Sequence, residues 1–113
     1  MSDYKTIEIE RTGHVALVTL NRPDNLNAFD TSLRREFIGA AREVNKDDDI
    51  RVVVLTGAGR AFSAGADLAE AGAVADGPGT EDMLNSDYKF GILAIADAPK
   101  PWISAVNGPC AGI

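Results

Sequence analysis

The sequence predicts an α/β fold, on three observations taken in chain order. An aliphatic run over 15–20 is typical of a buried strand, and apolar residues recur at helical spacing over 31–46. A nearly continuous β-branched run follows over 50–56, which is typical of a strand buried on both faces of a parallel sheet. These two strands and the helix between them are predicted to form a β-α-β unit. The length of 113 residues allows one domain or less, so residues 1–113 are predicted to belong to a single domain.

The first two strands are predicted to pair as a hairpin. Apolar and polar residues alternate over 6–10, and Thr12-Gly13 supplies a turn before the aliphatic run. That run is expected to end at Asn21-Arg22-Pro23-Asp24-Asn25, because proline donates no backbone hydrogen bond and asparagine and aspartate favour turns. A loop is therefore predicted over 21–25.

The helix after this loop has a predicted beginning and end. Asp30 is the expected N-cap, since its carboxylate can accept from the free N–H groups of the first turn. Asp47-Asp48-Asp49 is expected in the solvated turn beyond the helix, because carboxylates are unfavourable at the negative end of the helix dipole. We predict no metal site there, since metal ligands are spaced rather than consecutive. The core-facing side chains are predicted to be Leu33, Phe37, Ala40, Ala41 and Val44.

Less regular structure is predicted after the third strand. Small residues over 72–80 indicate a loop, and a second helix is predicted over 81–96, ended by the prolines of 97–101. Residues 102–106 are predicted to form a last strand, with Trp102 in the core. The apolar face of the second helix is predicted to comprise Leu84, Tyr88, Ile92 and Ile95.

Charge and composition exclude several classes of protein. Eleven Lys and Arg against seventeen Asp and Glu give a net charge of −6, which opposes binding to nucleic acid phosphates. No apolar run approaches the roughly 20 residues that cross a bilayer. The N-terminus lacks a secretory signal pattern, and the single cysteine, Cys110, has no partner for an internal disulfide. We therefore expect a cytoplasmic protein that binds neither nucleic acid nor membranes.

The glycine-rich turn after the third strand does not match three well-known site motifs. A phosphate-binding P-loop needs Lys and Ser or Thr after its last glycine, where Ala66-Asp67 stands. A dinucleotide fingerprint needs a third glycine at the position of Phe62. A hydrolase elbow places its serine at the strand end, whereas Ser63 comes several residues later and the only histidine, His14, lies upstream.

What remains is a loop of small residues, Ser63-Ala64-Gly65-Ala66, which leads into an acidic residue and an apolar helical start. Small side chains leave backbone N–H groups accessible, and a helix N-terminus presents unpaired donors. A second element of this kind, Asn107-Gly108-Pro109-Cys110-Ala111-Gly112-Ile113, follows the last predicted strand. Backbone donors of this kind form oxyanion holes, which is the chemistry that we predict for the two elements.

Four longer motifs lie in order along almost the whole chain. They are Leu20-Asn21-Arg22-Pro23 with Leu26-Asn27-Ala28, Val54-Leu55-Thr56-Gly57, Ala61-Phe62-Ser63-Ala64-Gly65-Ala66-Asp67-Leu68, and Lys100-Pro101-Trp102-Ile103-Ser104-Ala105-Val106-Asn107-Gly108. Taken together, they resemble the crotonase or enoyl-CoA hydratase/isomerase superfamily. The resemblance implies a crotonase-like (ClpP/crotonase) α/β fold, a spiral of repeated β-β-α units, of which this chain is the N-terminal portion.

The resemblance also implies a site. An acyl-CoA thioester would be held with its carbonyl oxygen between two backbone N–H groups, which correspond to Ala66 and Ile113 and stabilise an enolate. Asp67 is expected to cap the helix start, and Arg22 is expected either near the CoA phosphates or in solvent. No metal ion, and no cofactor beyond the CoA of the substrate, is implied. The residues that would line the CoA and pantetheine groove are Leu26, Ser63, Ala64, Gly65, Ala66, Asp67 and Leu68.

The implied activity is hydration of a 2-enoyl-CoA or a shift of its double bond, and the sequence does not separate the two. The alternative is a CoA-binding or scaffold member of the family without turnover. Homotrimers or dimers of trimers are implied as the assembly.

The family's acid and base carboxylates lie beyond the turn at 108–113, so no residue is assigned those roles. An end at residue 113 would leave a sheet edge and an apolar face uncovered, and we therefore expect a longer parent polypeptide and no activity from residues 1–113 alone. His14 is expected to be a surface or packing residue, and Cys110 is expected in a packed position.

Overall fold

The computed structural model describes residues 4–67 and 89–111, and four strands in this part of the chain form one sheet. The sheet order is β1-β2-β3-β4; the first two strands pair antiparallel, and the other two neighbouring pairs are parallel. The predicted hairpin and β-α-β unit are therefore confirmed. The strands are β1 (Ile7–Thr12), β2 (Val15–Leu20), β3 (Val52–Gly57) and β4 (Trp102–Ser104).

The helix α1 (Thr31–Lys46) has the bounds that the sequence predicts. The Asp30 carboxylate accepts from the N–H group of Leu33 at 2.8 Å, which confirms the predicted N-cap. At the other end, Lys100 Nζ donates to the carbonyl oxygens of Val44 and Asp47, both at 2.7 Å. A cation there satisfies carbonyl groups that have no partner within the helix and opposes the negative end of the dipole. Both helix ends are thus fixed by side chains.

Replacing Asp30 by alanine is expected to lower the free energy of unfolding by about 1 kcal/mol or more, since the loss of an N-cap side chain alone costs about that much. Urea unfolding of the intact protein measures this change. Asparagine caps a helix as well as aspartate, so Asp30→Asn should retain the capping part of the stability. Equal losses in the two variants would contradict a capping role.

The core lies between α1 and one face of the sheet. Residues of β2 and β3 alternate between buried and half-buried positions, and the buried set faces the apolar stripe of α1. Trp102 packs edge to face on Phe37 with ring centroids 6.3 Å apart, and its Nε1 donates to Asn45 Oδ1 at 2.9 Å. The predicted helix face is confirmed; the residues at its centre are Leu33, Phe37, Ala40, Ala41 and Val44.

Two predictions about burial are wrong. β3 is buried on one face only in the described part of the chain, because α1 covers that face and the opposite face is half-buried. Of the predicted apolar face of the second helix, α2 (Lys89–Ala96), Ile95 packs against the core while Ile92 is 59% exposed. Leu84 and Tyr88 of that face lie outside the described residues, as does the predicted loop over 72–80.

The loop over 21–25 is present and contains a short 3-10 helix, Pro23–Asn25. Asp47 follows the last residue of α1 and the next two aspartates form a turn, as predicted. His14 is exposed, with Nδ1 2.8 Å from the carbonyl oxygen of Asp49. Neither helix within residues 4–67 and 89–111 has the length and apolar character needed to span a membrane.

Candidate active site

The segment 62–67 follows β3 and lies between two other backbone segments. On one side, Phe29 forms a parallel bridge with Ala66. On the other side, Ser63 forms a parallel bridge with Cys110. The structure therefore brings together the two small-residue elements that the sequence singles out, and it adds the loop before α1 as a third component.

The orientation of the Ala66 backbone follows from the first bridge. Phe29 donates its N–H group to the carbonyl of Gly65 at 2.7 Å and accepts from the N–H group of Asp67 at 3.0 Å. Both polar groups of Phe29 thus face residues 65–67, so the N–H and C=O groups of Ala66 point the other way. The N–H group of Ala66 has no acceptor within residues 4–67 and 89–111. Ala66 is half-buried, and its N–H group is therefore free to bind an external acceptor.

The second bridge joins the segment to residues 109–111. Phe62 and Ser63 donate to the carbonyl of Pro109 at 3.0 and 3.3 Å, and Ala111 donates to the carbonyl of Ser63 at 2.9 Å. Cys110 is exposed, so the prediction of a packed cysteine is wrong, because its strand segment forms the outer edge of the described array. Ile113, the predicted second donor, lies outside the described residues.

Ser63 is 5% exposed, and its hydroxyl makes two hydrogen bonds within the protein. It donates to the carbonyl of Asn27 at 2.8 Å and accepts from the N–H group of Gly65 at 3.0 Å. The hydroxyl therefore faces the loop before α1 and stabilises the backbone just before Ala66. Gly65 has a φ of +86°, which a residue with a side chain adopts rarely.

The predicted groove residues are neighbours in the structure. Ala64 is exposed and donates its N–H group to the carbonyl of Leu26 at 2.9 Å. Leu26 is half-buried and has a φ of 52°, in the left-handed region. Leu26 and the segment 64–67 are therefore adjacent, with Gly65 buried and Ala64 exposed, whereas Leu68 lies outside the described residues.

Arg22 does not lie in solvent but between two acidic side chains. Its side chain is 15% exposed, with Nη1 3.2 Å from Asp67 Oδ2 and Nη2 3.6 Å from Asp30 Oδ2. Nη1 also donates to the carbonyl of Ala28. The predicted solvent position of Arg22 is therefore wrong, because two carboxylates and a carbonyl surround the guanidinium; its place near the CoA phosphates stays a prediction. The predicted capping role of Asp67 stays a prediction, because the residues that it would cap lie outside the described part of the chain.

Sequence reasoning missed the part played by Asn27. This residue is fully buried and has a φ of 54°, a conformation that asparagine tolerates better than most residues. Its Oδ1 accepts from the N–H group of Arg22 at 2.7 Å, and its Nδ2 donates to the carbonyls of Ala58 and Ala61, both at 2.9 Å. The available signal was an asparagine between the apolar residues Leu26 and Ala28 in a loop, but the two carbonyls to which its Nδ2 donates lie more than 30 positions away.

The described part of the chain is a mixed sheet with one β-α-β unit, whose strand β3 leads into a bridged segment of small residues, in agreement with the predicted crotonase-like α/β fold. Comparison with known proteins agrees. The model of the family described as enoyl-CoA hydratase/isomerase matches residues 10–113. The chain belongs to the enoyl-CoA hydratase/isomerase family, and the predicted fold class is confirmed.

The similar proteins include a probable hydratase and an isomerase. The chain is 37% identical over 112 residues to the probable enoyl-CoA hydratase EchA14 of Mycobacterium tuberculosis, covering 99% of this chain and 43% of the relative. It is 39% identical over 100 residues to the 1,2-epoxyphenylacetyl-CoA isomerase of Escherichia coli, covering 87% of this chain and 38% of the relative. The chain thus spans about two fifths of the length of the curated relatives it matches.

Solved structures give the same result. An enoyl-CoA hydratase/carnithine racemase from Magnetospirillum magneticum matches with a TM-score of 0.89 and 33% identity, covering 97% of this chain and 42% of that one. An enoyl-CoA hydratase/isomerase from Xanthobacter autotrophicus matches with a TM-score of 0.88 and 34% identity, covering 96% of this chain and 40% of that one.

Proposed function

We propose that the intact protein acts on acyl-CoA thioesters as an enoyl-CoA hydratase or isomerase, with the N–H group of Ala66 as one donor to the thioester carbonyl oxygen. The observation that carries this proposal is the Ala66 donor, which has no acceptor in the described part of the chain. Family membership and the names of the relatives support the class of substrate. Ile113 is proposed as the second donor.

The chemistry depends on where charge develops. During hydration or a double-bond shift, the thioester carbonyl oxygen gains the negative charge of an enolate. A donor whose backbone is already held by hydrogen bonds on both sides, as Ala66 is, needs no reorganisation when that charge appears. One such donor stabilises the transition state by about 2.7–4 kcal/mol.

The remaining features of the proposal concern binding and assembly. CoA and its pantetheine arm would lie along Leu26, Ala64, Gly65, Ala66, Asp67 and Leu68, with Ser63 holding this surface in place from its buried side. No cofactor is needed besides the CoA of the substrate. We further propose a cytoplasmic homotrimer or dimer of trimers, which sedimentation of the intact protein would test.

Replacing the amide of Ala66 by an ester, through incorporation of lactic acid at position 66, tests the proposal directly. The exchange removes one N–H group and keeps the methyl side chain. We expect kcat of the intact protein with a short-chain 2-enoyl-CoA to fall by about 10²–10³-fold, since that is the contribution of one oxyanion donor. Steady-state kinetics and urea unfolding, measured on the same samples, separate loss of catalysis from loss of fold.

Lactic acid at position 98 is the matched control, because it makes the same exchange at an alanine away from the site. The N–H group of Ala98 is used within the fold, donating to the carbonyl of Ile95, so its removal should cost about 1 kcal/mol of stability and leave kcat within about 3-fold. Unchanged kcat for the ester at position 66 would refute the role of Ala66. Binding of an acyl-CoA without turnover by the unmodified protein would support the non-catalytic alternative instead.

A further inference from the structure

Two asparagine side chains lie on either side of the turn that connects β3 to the candidate site. Asn27 Nδ2 donates to the carbonyls of Ala58 and Ala61, both at 2.9 Å. Asn107 Nδ2 donates to the carbonyls of Gly59 and Ala61, at 3.1 and 3.3 Å. The carbonyl of Ala61, the last residue before the segment 62–67, therefore accepts from both carboxamides.

Asn27 contacts the site segment a second time through its main chain. Its carbonyl accepts from the Ser63 hydroxyl at 2.8 Å, and that hydroxyl accepts from the N–H group of Gly65 at 3.0 Å. A continuous chain of hydrogen bonds thus runs from the buried Asn27 to the residue that precedes Ala66. All members of this chain are buried. Removing the carboxamide would release the turn at one end of the segment while the bridge to Phe29 remains.

We propose that Asn27 is a positioning residue for the Ala66 N–H group, acting through the turn 57–61 and through Ser63. This inference rests on the proposed function and deepens it, since it names a residue that does not touch the substrate but fixes the position of the segment that carries the donor, while the bridge to Phe29 sets the donor's direction. Donors act on an oxyanion only at about 2.7–3.1 Å from the position that the oxygen occupies. A displacement of about 1 Å reduces turnover by about 10²-fold.

The variant Asn27→Asp of the intact protein tests the proposal. Aspartate has the same shape and keeps an acceptor for the N–H group of Arg22, but it places a carboxylate oxygen against the carbonyls of Ala58 and Ala61. We expect kcat to fall by about 10²-fold while KM changes by less than about 3-fold, because the donor moves but the groove is retained. Lowering the pH should restore part of kcat, since a protonated carboxyl can again donate to one carbonyl.

The matched control is Asn45→Asp, which makes the same chemical change away from the site. Asn45 also accepts with Oδ1, from Trp102 Nε1 at 2.9 Å, and donates with Nδ2, to the carbonyl of Ala94 at 2.8 Å. This variant should lose stability and keep kcat. If Asn27→Asp does not fold, Asn107→Ser provides the second variant: Asn107 is exposed, and its side chain donates to Gly59 and Ala61 and accepts from Gly57 and Thr56, so the substitution should release the same turn from its other side and lower kcat by about 10-fold.

Hydrogen exchange separates failure of this inference from failure of the proposed function. The amide of Gly65 donates to Ser63 Oγ and should exchange at least about 10-fold faster in the Asn27 variant than in the Asn45 variant, whereas the amide of Asp67, whose bond to the carbonyl of Phe29 is retained, should exchange equally in both. Absence of turnover by the unmodified protein would reject the proposed function, and the exchange rates would still test the positioning. A folded Asn27→Asp protein with unchanged kcat and unchanged exchange would overturn the inference.

Discussion

Replacing Gly57 by alanine is expected to lower the free energy of unfolding by about 3 kcal/mol or more, beyond the usual cost of adding a methyl group to a packed site. A Cβ atom at this position would lie 2.5 Å from the carbonyl oxygen of Ala61 and 2.8 Å from Asn27 Nδ2, and it would overlap the carbonyl oxygen of Phe62. Two of these atoms belong to the backbone of the turn, so they can move only if the turn opens. Urea unfolding of the intact protein measures the loss.

The same substitution at Gly39 is the control, because it adds the same methyl group in a different environment. A Cβ at Gly39 would lie 3.5 Å from the Tyr4 hydroxyl oxygen, which is ordinary van der Waals contact. Gly39 lies inside α1, where alanine is favoured over glycine by about 0.5–1 kcal/mol. Gly39→Ala should therefore stabilise the protein. Wild-type stability of Gly57→Ala would contradict the close approach of the turn to the end of β3.

The elements that could be predicted from the sequence are those whose causes are local. Asp30 and the spacing of Leu33, Phe37 and Val44 are sufficient to place α1 with correct bounds, because a cap and an apolar stripe act within a few residues. The β-branched run of β3 likewise indicates a strand by itself. Its burial on one face could not be predicted, since that depends on which element packs there.

Contacts between distant residues were the part that could not be predicted. The guanidinium of Arg22 is paired with a carboxylate 45 positions further along the chain, and Asn27 donates to carbonyls 31 and 34 positions away. No local pattern marks such pairs, because the fold alone brings the segments together. Ile92 was assigned to an apolar face by its spacing, and its exposure is set by how α2 lies on α1.

In the candidate site, too, the local features could be predicted from the sequence and the contacts between distant residues could not. The small residues at 63–66 indicate accessible backbone N–H groups, and the family resemblance points to Ala66 as a donor. In the structure, this N–H group has no acceptor among the described residues. The direction of that group is set by Phe29, which carries no signal in the sequence. The hydroxyl of Ser63 could equally have faced a ligand, and its inward direction depends on the buried carbonyl of Asn27.

Replacing Arg22 by methionine is expected to lower the free energy of unfolding by about 3 kcal/mol, the lower end of the cost of breaking a buried ion pair. Methionine retains most of the apolar stem and removes the positive charge between Asp30 and Asp67. The Asp67 side chain is 14% exposed and that of Asp30 is 23% exposed, so water compensates the remaining carboxylates only in part. The carbonyl of Ala28 also loses its donor. Urea unfolding of the intact protein measures the change.

A double-mutant cycle with Asp67→Asn distinguishes the ion pair from the other contacts of Arg22. In the Asp67→Asn background one buried negative charge is already absent, so Arg22→Met should cost less there, by about 1 kcal/mol or more. Because Asp67 directly follows the proposed donor Ala66, coupling of this size would also show that the loop before α1 and the candidate site are stabilised together. An identical cost of Arg22→Met in both backgrounds would mean that Arg22 acts through Ala28 and Asp30 and leaves the site segment unaffected.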